Sequence, residues 1–178
     1  MQFRIGQRVA YPNQGVGVIE AIGEHELGGN VGRFYSLKLN CNDTVVRVPT
    51  ERATGVGLRP IINSVECEKL MRRLAGDFEP APSDWKKRFR LYSEKMQSGN
   101  VFQVADVLKG LSYVSLAKPL SFRDNKMLEK AKYLVVSEMA IVCSQPECNI
   151  EEKVDQLLAL AFQKHAENER NVASAVGH

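Results

Sequence analysis

The sequence predicts an α+β protein: a small SH3- or Tudor-like β-barrel followed by an all-helical domain. Three observations carry this reading. Nine of the 13 glycines (Gly6, Gly15, Gly17, Gly23, Gly28, Gly29, Gly32, Gly55 and Gly57) precede residue 60 and separate short apolar runs, the pattern of strands and turns. In "RFYSLKL", Tyr35, Leu37 and Leu39 alternate with Phe34, Ser36 and Lys38, the period of a half-buried strand. Beyond residue 60 the apolar residues recur at helical spacing instead.

The elements follow in order. "RVAYP", "GVGVIEAI", "RFYSLKL" and "TVVRVP" are candidate strands, with "LGGN" (27–30) and "NCND" (40–43) as turns between the last three. Pro12 and Pro49 fall at strand ends, where a missing N–H does least harm. Four or five short twisted strands in so few residues suit a small barrel. Asn63 and Glu66 form a capping-box pattern ahead of Cys67, Leu70, Met71 and Leu74, and Gly76 ends that helix. After the proline-bearing linker "EPAPSD", Ser83 or Asp84 caps a second helix to about Gln97, stopped by Gly99. Asn100 opens a third, with Val101, Val104, Ala105 and Leu108 on one face. "AKPLS" breaks the chain before a fourth helix begun by Ser121 and Asp124, with Met127, Leu128, Ala131, Leu134 and Val135 inward. Asn149 and Glu152 start a fifth that carries Ile150, Val154, Leu157, Leu158, Ala161 and Phe162. The expected division is a barrel over residues 1–60, a helical domain over 61–166 and a frayed tail over 167–178.

Composition narrows the function classes. Apolar content of 44% and charge of 25% are those of a folded globular chain. The start, "MQFRIGQRVAYPNQG", has neither a long apolar run nor a small-residue cleavage site, and no segment approaches a membrane span. The expectation is a cytoplasmic protein whose four cysteines stay as thiols, with no membrane association. Cys143 and Cys148 form a C-x4-C, but no second close pair accompanies it, so the cysteines read as small buried hydrophobes and no metal site is expected. "QGVGVIE" contains G-x-G without the third glycine and runs into a strand, so Gly15 and Gly17 read as bends or a bulge and not as a phosphate loop. None of the three histidines, His25, His165 and His178, stands in a catalytic motif, and Glu151–Glu152 suit a helix start. No catalytic residue, cofactor or small-molecule substrate is expected.

The stretch "APSDWKKRFR" is unusual. Trp85, the one tryptophan, stands beside Lys86, Lys87, Arg88 and Arg90. On a helical wheel Trp85, Phe89, Tyr92 and Met96 form a continuous stripe, which makes Trp85 the first rung of a core face. Two details favour a functional ring instead. Trp85 lies in the first turn, where a side chain can project past the packed face. The cations also crowd a helix N-terminus whose dipole favours anions, with only Asp84 to oppose them. Such an arrangement is sensible where phosphates arrive, the ring inserting at a base step while the cations hold the backbone.

These motifs, taken with "FRIGQRVAYPNQGVGVIEAI" at the start, "TVVRVP" at 44–49 and "GVGLR" at 55–59, resemble the CarD/CdnL family of bacterial transcription regulators over residues 3 to about 165. The resemblance implies that the barrel docks on the β subunit of RNA polymerase by strand-to-strand pairing. It implies that the helical domain reaches promoter DNA at the upstream edge of the transcription bubble, where a tryptophan wedge opposes bubble collapse. In this chain it assigns the wedge to Trp85, the phosphate contacts to Lys87 and Arg90 with Lys86 and Arg88 as helpers, and the polymerase contact to Arg47. His25 stands where family members can carry an arginine and is the second candidate for that contact. A net charge of only +3 agrees with a factor brought to DNA by a protein partner. Two other classes remain open at this point: a barrel-plus-helix adapter with Trp85 in its core and no DNA contact, and an enzyme whose site forms only in space.

Overall fold

A computed structural model describes residues 2–176. Strands β1 (Arg8–Tyr11), β2 (Gly15–Leu27), β3 (Asn30–Leu39), β4 (Val45–Pro49) and β5 (Arg59–Pro60) precede helices α1 (Ser64–Ala75), α2 (Trp85–Gln97), α3 (Val101–Ala117), α4 (Phe122–Cys143) and α5 (Glu147–Val176). This is the expected α+β arrangement of a small antiparallel sheet followed by helices. The strands form one antiparallel sheet in the order β4-β3-β2-β1-β5. The long β2–β3 hairpin turns through Gly28 and Gly29, both at positive φ, as a tight two-residue hairpin requires.

Gly15 and Gly17 serve close approach. A Cβ on Gly15, itself at φ 91°, would lie 3.0 Å from the Tyr133 ring of α4, and one on Gly17 would lie 2.5 Å from the Lys38 carbonyl oxygen. The bulge that β2 does contain falls between Ile19 and Ala21, past both glycines.

Cap chemistry sets the helix starts. Asn63 and Glu66 form both halves of the capping box on α1. Asp84, not Ser83, caps α2 by accepting from the Lys86 N–H, Asn100 caps α3 and Ser121 caps α4. At the other end of α1, the buried Lys109 ammonium donates to the carbonyls of Arg73 and Gly76, each at 2.6 Å, and burial pushes its pKa down to about 8.

Three expectations change. Helix α5 starts at Glu147, just after Pro146, because Ser144 closes α4 in the left-handed region and the chain turns at once. It then continues to Val176 where a frayed tail was expected from residue 167. Asp77 ties it as far as Asn168: its carboxylate lies 2.8 Å from His165 Nδ1 and accepts from Asn168 at 2.7 Å. Residues 177–178 lie outside the described residues. Only Cys67 among the cysteines is fully buried. Cys143 is half-buried with its sulfur 3.7 Å from that of Cys67, while Cys41 and Cys148 are exposed.

The two parts have separate cores. Phe3, Val9, Ile19, Tyr35, Leu37 and Leu58 belong to the sheet's core. Ile62 already belongs to the helical core, so the change of core falls between Leu58 and Ile62. A clasp across the junction joins them. Glu138 of α4, only 3% exposed, accepts from both terminal nitrogens of Arg59 at 2.6 and 2.8 Å and from the Ile62 N–H at 2.9 Å. Arg59 Nε also donates to the Gly99 carbonyl at 2.8 Å.

Glu138→Ala leaves the Arg59 guanidinium and the Ile62 N–H without that acceptor. It is expected to lower folding stability by about 3 kcal/mol, as for one partner of a buried ion pair. Urea unfolding checks this, and a loss below about 1 kcal/mol, the scale of an exposed pair, refutes it. A second expectation concerns acid. The hydrogen bonds from His165, then Asn168, hold the Asp77 carboxyl down at about 2 against an ordinary 3.8. Its folded-state pKa is depressed, so the contribution is complete above about 3.8 and is lost as pH falls through about 2. Asp77→Asn should therefore lower the Tm at neutral pH and flatten the acid limb of a Tm-against-pH curve. An unchanged limb refutes the linkage.

Candidate nucleic-acid interface

Trp85 occupies the first position of α2 and is 57% exposed. The predicted stripe holds for Tyr92 and Met96, which are buried, and in part for Phe89, which is half-buried. It fails at Trp85, whose ring is left largely uncovered at the end of the α2–α3 packing. The ring lines a groove with Val114 and Lys118 of the C-terminal end of α3. A core role for Trp85, the premise of the adapter reading, does not survive this placement.

The cations beside it divide. Lys86, Lys87 and Arg90 are exposed, and the first turn of α2 contains no acid. The Lys86 ammonium sits 5.7 Å from the Trp85 ring centroid. Arg88 corrects the sequence expectation. It is 4% exposed, pairs with the Asp124 carboxylate at 2.9 Å and donates to the Pro82 carbonyl at 3.1 Å. It faces away from Lys86 and Lys87 into the helix packing, where it satisfies a buried carboxylate and the linker, so it is no phosphate contact. Asp124, expected only as part of a helix start, is its partner.

The structure adds three cations that the sequence reading missed. Arg123, Lys126 and Lys130 follow at i, i+3 and i+7 along α4, one helical face, and line a second groove together with Phe89 and Phe122. Arg123 lies 5.6 Å from the Phe89 ring centroid, which joins this row to α2. The spacing was visible in "RDNKMLEK", but nothing in the sequence stated that this face of α4 flanks α2.

The polymerase-contact candidates lie on the sheet. β4 is an edge strand paired only with β3, and Arg47 is exposed while Val48 is buried and Val46 half-buried, the expected alternation. The other edge, β5, is two residues long and ends in Pro60, which blunts it for pairing. His25 belongs to the same sheet face as Arg47, since Ala21, Ser36 and Arg47 form one cross-strand rank and His25 lies an even number of residues along β2. It is half-buried and packs edge-on to Phe34 with centroids 6.2 Å apart. Among the described residues no three His, Cys, Asp or Glu side chains group as metal ligands, and no helix is long and apolar enough to cross a membrane.

Residues 3–62 match the family model for the CarD-like/TRCF RID domain, and residues 69–155 match that for the CarD C-terminal domain. The chain belongs to the CarD/CdnL family. Matches on both sides of the Arg59–Glu138 clasp, in family order, make this an assignment of two domains, and it identifies the chain as a CarD-like transcription regulator. The chain is 27% identical over 144 residues to a putative transcription factor, YdeB, of Bacillus subtilis (strain 168), an alignment covering 79% of this chain and 92% of that protein. It is 36% identical to the 72-residue N-terminal domain of Myxococcus xanthus CarD, solved by solution NMR, over 33% of this chain and 79% of that one, with a TM-score of 0.29.

The two side chains at the head of α2 should respond oppositely to truncation. Trp85→Ala is expected to change folding stability by less than about 1 kcal/mol, against roughly 3–5 for a buried tryptophan. Arg88→Ala strands Asp124 and should cost roughly 3–5 kcal/mol. Chemical denaturation of the two variants side by side checks the assignment, and a reversed order overturns it.

Proposed function

We propose that this CarD/CdnL-family chain docks on the β subunit of RNA polymerase through β4 and stabilises the promoter open complex with Trp85. The observation that carries the reading is the exposed ring at the head of α2, set among the exposed Lys86, Lys87 and Arg90. A wedge stabilises an open state only through differential affinity for it. Unstacking a base step costs a few kcal/mol and costs least where the duplex already melts, so the ring favours the edge of the bubble. Phosphate contacts alone hold open and closed DNA similarly. In this division of labour Trp85 supplies the bias, Lys87 and Arg90 with Lys86 supply position, and Arg123, Lys126 and Lys130 extend the phosphate track along α4. The polymerase contact, in the first 60 residues, supplies effective concentration to a protein whose net charge of +3 gives little attraction for DNA by itself.

Edge addition suits β4, the longer of the two sheet edges, with Arg47 exposed on it. His25 is a lesser contact in this reading, because its ring is partly engaged with Phe34.

Trp85→Ala is expected to leave polymerase binding and Tm in place while shortening open-complex lifetime roughly fivefold or more, the scale of one base–aromatic contact. Arg47→Glu is expected to weaken polymerase binding without lowering Tm. An unchanged open-complex lifetime for Trp85→Ala, with the wild-type factor active in the same assay, sinks the wedge. Full polymerase binding by Arg47→Glu sinks the docking assignment.

A further inference from the structure

Phe122 is the most exposed large apolar side chain of the described residues, at 77%. It opens α4, directly after the Ser121 cap, and sits two residues, about 200° around the helix, from the buried Asp124. It is therefore not a misplaced core residue. It lines the same groove as Trp85, with the half-buried Phe89 also on the wall, and this groove has a volume of about 650 Å³. That is ample for a nucleobase.

Each of the three rings has its own cation. Lys86 lies 5.7 Å from the Trp85 ring centroid, Arg123 5.6 Å from that of Phe89, and Lys126 5.7 Å from that of Phe122. A nucleotide couples one planar base to one phosphate, so a ring beside a cation matches a nucleotide in both parts. The acid that lines this groove, Asp124, is buried and already paired with Arg88, while Lys118 and Arg123 on its rim are exposed. The groove is thus apolar within and cationic around it, which suits an unpaired strand and not an apolar protein segment.

We infer that Phe122 is a second base-contacting ring, and that the groove between it and Trp85 receives an unpaired base of the melted promoter strand. The inference rests on the proposed DNA contact of Trp85 and goes beyond it. A single ring wedges a step apart. Two rings on different helices also hold what has been released, which adds affinity for the open state alone.

The test uses full-length protein with RNA polymerase on a promoter carrying 2-aminopurine at the unpaired positions of the upstream bubble edge, and compares Phe122→Ala, Phe122→Tyr, Trp85→Ala and Leu116→Ala. Leu116 is an exposed apolar control, 67% exposed, on α3. Phe122→Ala should shorten open-complex lifetime roughly fivefold and relieve the quenching of one 2-aminopurine, with Tm and polymerase binding unchanged. Phe122→Tyr should restore both, and Leu116→Ala should alter neither. If Trp85→Ala shortens the lifetime and Phe122→Ala does not, the two-ring groove is refuted while the wedge stands. Weakened polymerase binding by Phe122→Ala also refutes it, since the ring then touches protein. If neither variant shortens the lifetime, the DNA reading fails and this inference falls with it.

Discussion

The Glu138 carboxylate is the constraint on which the arrangement of the two parts depends. Removing a carboxylate from water costs several kcal/mol, and it is retained only with close, well-aligned partners. Here the Arg59 fork comes from β5 across the junction, and the N–H comes from Ile62, the first residue of the helical core. Arg59 also ties down the Gly99 carbonyl between α2 and α3. One buried charge therefore fixes strand β5, the connector and helix α4 together. The Gly15–Tyr133 approach adds a second point of contact between β2 and α4. Under the proposed function such a joint matters, because a loose one would dilute the effective concentration that the polymerase contact provides at the DNA.

At the far end of the helices a second buried pair settles the electrostatics. At the start of α2, Lys86, Lys87 and Arg90 oppose the helix dipole, with only the Asp84 cap in its favour. Arg88 does not add to that load, because Asp124 neutralises it. The Arg88–Asp124 pair also joins the first turn of α2 to the first turn of α4, which places Trp85 and Phe122 on one groove. The neighbours of the buried pair are thus free to carry exposed rings and uncompensated charge, and the packing that positions them does not depend on either.

Much of the fold was legible in the sequence. The alternation around Tyr35, Leu37 and Leu39, the glycine-rich turns and the Asn63–Glu66 capping box report local physics, which neighbouring residues decide among themselves. The motifs that suggest the family are likewise local strings. The errors were non-local. The segment from residue 167 was expected to fray as a chain terminus, but it is helical to Val176, and Asp77, far away in the chain, holds His165 and Asn168 at its base. Gly15 and Gly17 were expected to bend a strand, but their need is for space against α4 and β3.

The candidate site shows the same limit. By itself the sequence determined that a tryptophan and four cations share the start of one helix, and that Arg47 alternates outward on its strand. It left open whether Trp85 belonged to the core, because a helical wheel gives the direction of a side chain and not what packs over it. Tertiary structure decided that: no neighbouring segment covers the ring, and it is left in the open. It also decided that Arg88 turns inward to Asp124 and that Phe122, Arg123 and Lys126 join the same face. The physical reason is that exposure and charge pairing depend on which distant segment packs alongside, and spacing along one chain does not encode that.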